Sequence, residues 1–181
     1  MLEKALSVAR SENYYTQQQA FSGIWSGYLV GPESEIPEVT TGVPAERLSA
    51  LLEATTRLPQ DFHPHPKILR GLHARREMAR GQRPLDWSAA EALAFASLAT
   101  EGLPVRLSGQ DSSRGTFTQR HLVLSDYESG AEYTPLQHIS PDQARFEVFD
   151  SSLSEYAVLG FEFGYSVADP LTLVMWEAQF G

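Results

Sequence analysis

The run Leu171-Thr172-Leu173-Val174-Met175-Trp176 is almost unbroken in apolar side chains. A strand with no alternation of inward and outward positions needs cover on both faces, and a parallel sheet flanked by helices supplies it. Upstream, Phe146-Glu147-Val148-Phe149 alternates as a strand, Val105-Arg106-Leu107 is a short one, and Leu122-Val123-Leu124 is a second apolar run after a polar, Gly-containing loop. Helical patterns lie between. One is Ala- and Leu-rich, opens on the capping-box signature Ser88-Ala89-Ala90-Glu91 and stops near Gly102. Another places Val158, Leu159, Phe161 and Tyr165 at spacings that predict a helix buried over most of its surface. Strands alternating with helices predict an α/β fold, a parallel sheet with helices on both faces.

The first 85 residues have a different character and are expected to form a helical, Pro-rich linker ahead of a domain over 86–181. Proline recurs at Pro32, Pro37, Pro44, Pro59, Pro64 and Pro66, interrupting helix and sheet alike. A helix is expected over Leu2 to Arg10, followed by an aromatic stretch from Phe21 to Tyr28. Pro44 suits the first position of another helix, which carries Leu48, Leu51, Leu52 and Thr55 on one face up to Arg57. A third is expected from Pro66 to Arg80, with Ile68, Leu69, Leu72 and Met78 buried. Arg70, Arg75, Arg76 and Arg80 would form its solvated face.

Acidic residues outnumber Lys and Arg by 23 to 14, a net charge of −9, which argues against a nucleic-acid footprint. The chain has no cysteine, so neither disulfides nor thiolate chemistry operate in it. Met1-Leu2-Glu3-Lys4-Ala5-Leu6 lacks the apolar core of a secretory signal, and no apolar run reaches the roughly twenty residues that span a bilayer. A cytoplasmic protein that binds neither nucleic acid nor membrane is the expectation. The chain stops just after its last strand, where a further covering helix is expected, so it reads as a piece of a longer polypeptide with an incomplete C-terminal domain.

Chemistry points first to Glu155, in the opening turn of the last helix. One reading makes it half of a capping box with Ser152. The other makes it an acid beside an apolar wall, able to exchange a proton with a bound heteroaromatic ring. Ligands of parallel sheets bind beyond the carboxyl ends of the strands, where Ser108–Thr118, the approach to Glu155, and Gln179-Phe180-Gly181 converge. Arg114 and Arg120 are read chiefly as structural ion pairs, His121 as opening a strand, and His138 as structural. His63, His65 and His73 lack metal-ligand spacing, and neither a phosphate loop nor a G-x-S-x-G elbow occurs.

Four ordered motifs carry a resemblance: Asp86-Trp87 with Ala90-Glu91-Ala92-Leu93-Ala94; Val105 to Asp111 running into Arg114-Gly115-Thr116-Phe117 and Arg120-His121; Leu153 to Ser166; and Trp176 to Gly181. The chain resembles the thiamine-diphosphate-dependent decarboxylating subunit of the 2-oxoglutarate dehydrogenase complex. The resemblance implies a transketolase-like pyrimidine-binding domain over 86–181. It makes Glu155 the acid that hydrogen-bonds the pyrimidine ring nitrogen, favouring the imino tautomer that deprotonates the thiazolium carbon. Leu153, Gln179 and Phe180 would be further cofactor contacts. It also implies oxidative decarboxylation of 2-oxoglutarate, a homodimer sharing the cofactor site, and succinyl transfer to a lipoyl-bearing succinyltransferase subunit. The Gly-Asp-Gly motif that binds diphosphate and Mg²⁺ is missing, so the metal is expected on another domain and these residues alone should be inactive. Two alternatives stay open: the same fold acting on another 2-oxo acid, or a non-catalytic scaffold in which Glu155 only caps a helix.

Overall fold

The computed structural model describes residues 3, 4, 7, 10, 23–28 and 32–179. The chain divides into two compact units, Met1–Glu38 and Val39–Gly181. In the first, 3₁₀ turns form at Gly23–Trp25 and Glu33–Glu35, and the rings of Trp25 and Tyr28 lie 5.2 Å apart. Of the helix expected over Leu2 to Arg10, Glu3, Lys4 and Ser7 are helical and Arg10 is in a turn. The other positions fall outside the described residues.

The second unit runs α1 (Ala45–Ala54), α2 (Pro66–Ala79), α3 (Trp87–Thr100), β1 (Val105–Gly109), β2 (Leu124–Ser125), β3 (Glu132–Tyr133), β4 (Phe146–Asp150), α4 (Glu155–Ala168) and β5 (Leu173–Glu177). Strands β4, β1 and β5 form a parallel sheet in that order, while β2 and β3 pair antiparallel on their own. Val105 stands in register with Phe146 and Leu173, and Arg106 with Glu147 and Val174. Alternation then sorts the side chains. Val105, Leu107, Phe146, Val148 and Met175 share one face and join Leu51, Leu52, Met78, Leu93, Phe95 and Ala96 in the main core. The rings of Phe95 and Phe146 meet there with centroids 5.6 Å apart.

Helix α3 is Ala- and Leu-rich because it is buried deeply: Ala89, Ala96 and Ala99 are inaccessible to solvent. It begins before the expected capping box. Asp86 is the N-cap and accepts the Ala89 N–H at 2.8 Å. That puts Ser88 inside the helix, where its hydroxyl donates to the Gln119 carbonyl, while Glu91 pairs with Arg120. Gly102, at φ +86°, turns the chain out of the helix toward β1. Pro44 likewise precedes α1 as its N-cap rather than opening it, and in α2 Leu72 and Met78 are buried but Leu69 is exposed. Asp126 pins the segment before α2. Its carboxylate accepts the His63, Glu128 and Ser129 N–H groups, which hold its pKa far below the usual carboxylate range.

The opposite sheet face is covered differently. Only Val158 and Glu162 of α4 are buried; Leu159, Phe161, Phe163 and Val167 are exposed, against the expectation of a helix buried over most of its surface. One helix touches a narrow three-stranded sheet along a single stripe. At its centre Glu162, 4% exposed, accepts two hydrogen bonds from Arg106 of β1 at 2.8 and 2.9 Å. The same guanidinium lies over the rings of Phe149 at 4.3 Å and Tyr165 at 4.7 Å. Strand β5, read as fully covered, is an edge strand whose residues are half-buried or exposed.

Two consequences are measurable by thermal or denaturant unfolding. Glu162→Ala removes both short hydrogen bonds of the partly buried Arg106 and leaves only Glu147, at 3.9 Å, as its charge partner, and should cost about 1.5–3 kcal/mol; a loss under about 1 kcal/mol would show that the pair is dispensable. Gly109→Ala should cost roughly 1–3 kcal/mol, because a Cβ there meets the Glu177 carbonyl oxygen at 2.7 Å and the Ser112 hydroxyl at 2.5 Å.

Candidate functional site

Gly109, Asp150 and Glu177 end the three parallel strands in one register row. The absent side chain at Gly109 lets the end of β5 lie close against β1. Above this row sit the loop after β1, the link from β4 to α4, and the residues after β5. They are tied together by short bonds. Asp150 accepts the Ser113 N–H at 2.8 Å, and the Ser151 N–H donates to the Gly109 carbonyl at 2.6 Å.

Glu155 is the first residue of α4. Ser154 is the N-cap, accepting the Ala157 N–H at 3.4 Å. The capping box with Ser152 therefore does not form, since Glu155 stands one residue after the cap instead of three. The half-buried Glu155 reaches across to the end of β5 instead, its Oε1 accepting the Gln179 N–H at 2.6 Å. The Gln179 side chain continues the network, donating to Thr116 Oγ1 at 3.0 Å and to Asp111 Oδ2 at 3.4 Å. Asp111 also binds Arg114 at 2.8 Å. Glu155 and Gln179 are thus joined directly. Leu153, two residues before Glu155, is 57% exposed beside them, and Phe180 lies outside the described residues.

Arg120 supports this network from beneath. Its side chain is buried, with the guanidinium set between Glu91 of α3 and Glu177 at the end of β5, and it also donates to the Ser112 carbonyl at 3.0 Å. Burial lowers the pKa of the group, but the hydrogen bonds and charges of Glu177 and Glu91 more than reverse this, so it is raised. Arg75, half-buried, donates to the Arg120 carbonyl at 2.8 Å. His121 is not in a strand: at φ +48° it sits in a tight loop with Thr118 at +57°, and burial pushes its pKa down. His138 stacks on Tyr133 with centroids 4.8 Å apart.

The sequence places the whole Ser108–Thr118 loop at the strand ends without singling out Asp111 or Thr116 within it, and leaves Glu177 unassigned. Their signal was available only as polar residues bordering the predicted strand ends. A cavity of about 230 Å³ adjoins the site, lined by Arg106, Ser108, Phe149, Asp150, Leu153 and Phe161 among others. Ser108 and Ser112 hydroxyls are buried with no hydrogen-bond partner among the described residues. A glutamic acid can share a proton with a heteroaromatic ring nitrogen, and the exposed Leu153 beside it offers an apolar surface to the ring face, so these residues fit an aminopyrimidine. Among the described residues, no group of three or more His, Asp or Glu side chains is placed to hold a metal ion.

Residues 83–181 match the family model described as "Transketolase, pyrimidine binding domain". The chain is 45% identical over 181 residues to the 2-oxoglutarate dehydrogenase E1 component of Rickettsia conorii, covering 99% of this chain and 19% of that protein. It is 49% identical over 161 residues to the namesake from Coxiella burnetii (89% and 17%) and 50% identical over 148 residues to one from a Geobacillus strain (82% and 16%). The chain thus spans less than a fifth of the length of these curated relatives. The three-stranded parallel sheet with its flanking helices, the acid at its carboxyl end and the matched segment together show that this chain belongs to the transketolase pyrimidine-binding domain family.

Proposed function

We propose that this chain is the pyrimidine-binding portion of a thiamine-diphosphate-dependent 2-oxoglutarate dehydrogenase E1 component, with residues 86–181 as the binding domain and 1–85 as its linker. The observation that carries the reading is the position of Glu155: at the carboxyl end of the sheet, anchored by the Gln179 N–H, within the matched segment. In this proposal Glu155 holds a proton at the pyrimidine ring nitrogen, and Leu153, Gln179 and Phe180 flank the ring. When bound, thiamine diphosphate supplies the electron sink for loss of carbon dioxide. This chain's own contribution is to orient the pyrimidine through Glu155 and to exclude water from one side of it.

The rest of the proposal concerns what these residues do not carry. Mg²⁺ and the diphosphate are held by another domain, and the succinyl group passes to a lipoyl-bearing succinyltransferase, with the cytoplasm as the proposed location. A homodimer sharing the cofactor site is supported by the apolar residues that α4 leaves exposed, Leu159, Phe161, Phe163 and Val167.

The test uses the full-length polypeptide with thiamine diphosphate and Mg²⁺, following 2-oxoglutarate-dependent reduction of an artificial electron acceptor. Glu155→Ala should lower turnover by roughly 10²–10⁴-fold while the protein stays folded. Near-normal turnover in that variant removes Glu155 from the site, and a wild type indifferent to 2-oxoglutarate overturns the substrate. In sedimentation velocity the wild type should run as a dimer, and Phe163→Glu should shift it toward monomer; a monomeric wild type contradicts the shared site.

A further inference from the structure

Arg120 is a buried group whose placement the proposed chemistry does not yet use. It is 5% exposed, and its guanidinium contacts carboxylates from two distant segments, Glu91 on α3 and Glu177 at the last position of β5. A third bond reaches the Ser112 carbonyl in the loop after β1. Only Ala178 separates Glu177 from Gln179, whose N–H binds Glu155. The Gln179 side chain returns to Thr116 in the same loop that Arg120 holds at Ser112.

We propose that Arg120 is a positioning residue for Glu155: by fixing Glu177 against α3 and the β1 loop, it sets where the Gln179 N–H stands and so how the Glu155 carboxylate is aimed. Each link is short and rigid. Glu177 is the C-terminal residue of a paired strand, so its backbone is fixed by the ladder with Gly109. Beyond it the ladder ends, and two residues must reach the acid without sheet support. A planar guanidinium can bind both carboxylates at once with separate N–H groups; an ammonium on a flexible stem cannot hold the same two-sided geometry. An interaction serving stability alone would be satisfied by one carboxylate, and the second ties the strand end to the helix layer.

The consequence for catalysis rests on the reading of Glu155 as the pyrimidine-bonding acid, but the geometric claim does not. The experiment separates the two. In the cofactor-free full-length polypeptide, hydrogen–deuterium exchange is followed at the Gln179 amide in wild type and Arg120→Lys, with Leu107 and Val148 amides as references. Exchange at Gln179 should accelerate on the order of tenfold while the reference amides keep wild-type rates, the pattern of local rather than global opening. Glu177→Gln removes the charge at the other end of the same bond and should act in the same direction, which keeps the test decisive if Arg120→Lys does not fold. Unchanged exchange at Gln179, or equal acceleration of all three amides, overturns the proposal and makes Arg120 a staple for stability.

Thiamine diphosphate is then titrated by tryptophan fluorescence. Weaker binding by about tenfold in Arg120→Lys and in Glu155→Ala, about 1.4 kcal/mol, extends the positioning to the cofactor. If Gln179 exchange accelerates but neither variant changes the titration, the positioning stands and the cofactor reading of Glu155 fails. If Glu155→Ala weakens binding while Arg120→Lys changes neither readout, the cofactor reading stands and the positioning fails.

Discussion

The second face of the sheet depends on one buried ion pair. Arg106 occupies the middle strand, and α4, which covers that face, places Glu162 and Val158 against the sheet. A buried pair of this kind adds little net stability compared with an apolar replacement, because both charges lose their hydration. What it does impose is register. A bidentate bond at 2.8 and 2.9 Å admits one rotation of the helix, whereas an apolar stripe tolerates sliding. Glu155, Val158 and Glu162 are spaced three and four residues apart and so share a stripe. Once Glu162 is fixed on Arg106, Glu155 is carried about 10 Å along the same stripe, to the strand ends where the Gln179 N–H meets it.

That arrangement explains why so apolar a helix is left largely uncovered. A three-stranded sheet offers one groove to one helix, and the polar pair takes its centre. Leu159, Phe163 and Val167 stay exposed along the helix, and among the described residues β5 is an edge strand. On the other face the balance is reversed: α3 packs on β1, α1 packs against α3 and α2, and alanines at zero exposure let α3 approach closely. The site sits at the border between a well-packed layer and a sparsely covered one, so its precision cannot come from apolar packing alone. It comes from charge-assisted bonds.

Much of this was legible in the residues. The alternation of strands and helices, the α/β class, and the meeting of Glu155 with Gln179 beyond the strand ends all follow from local pattern and the rule for parallel sheets. Both capping-box readings failed, and for related reasons. In Ser88–Glu91 an aspartate two residues earlier captures the helix start, and the glutamate finds a buried arginine 29 residues away. At Glu155 the neighbouring Ser154 takes the cap, and the carboxylate binds a backbone N–H 24 residues downstream. A glutamate side chain is long enough for tertiary partners to outcompete a local motif, and no spacing rule anticipates a partner so distant. The positive φ angles at Thr118 and His121 were equally hidden, since a β-branched threonine is an outlier in that region and a histidine, though commoner there than most residues, adopts it only in a minority of cases. Glu162 did leave a trace: the one acid within an otherwise apolar helix after its opening Glu155, matched by one arginine in an apolar strand.

The acidic excess takes on a second meaning in this light. As a bulk property, a net charge of −9 argues against polyanionic partners. In the fold, however, carboxylates recur as internal fasteners: Asp86 starts α3, Asp126 closes the β2–β3 turn, Asp150 holds the β1 loop, and Glu91, Glu162 and Glu177 grip buried arginines. Asp126 and Glu162 accept their N–H groups where little water competes, which is where a carboxylate bond is strongest. Glu155 belongs to the same set in geometry and differs in its surroundings. It stands half-buried beside an exposed leucine at the strand ends, where the sheet face is least covered. A fold that fastens itself with carboxylates can convert one of them to chemistry by placing it where packing stops, and the arginine beneath the strand end supplies the rigidity that packing there does not.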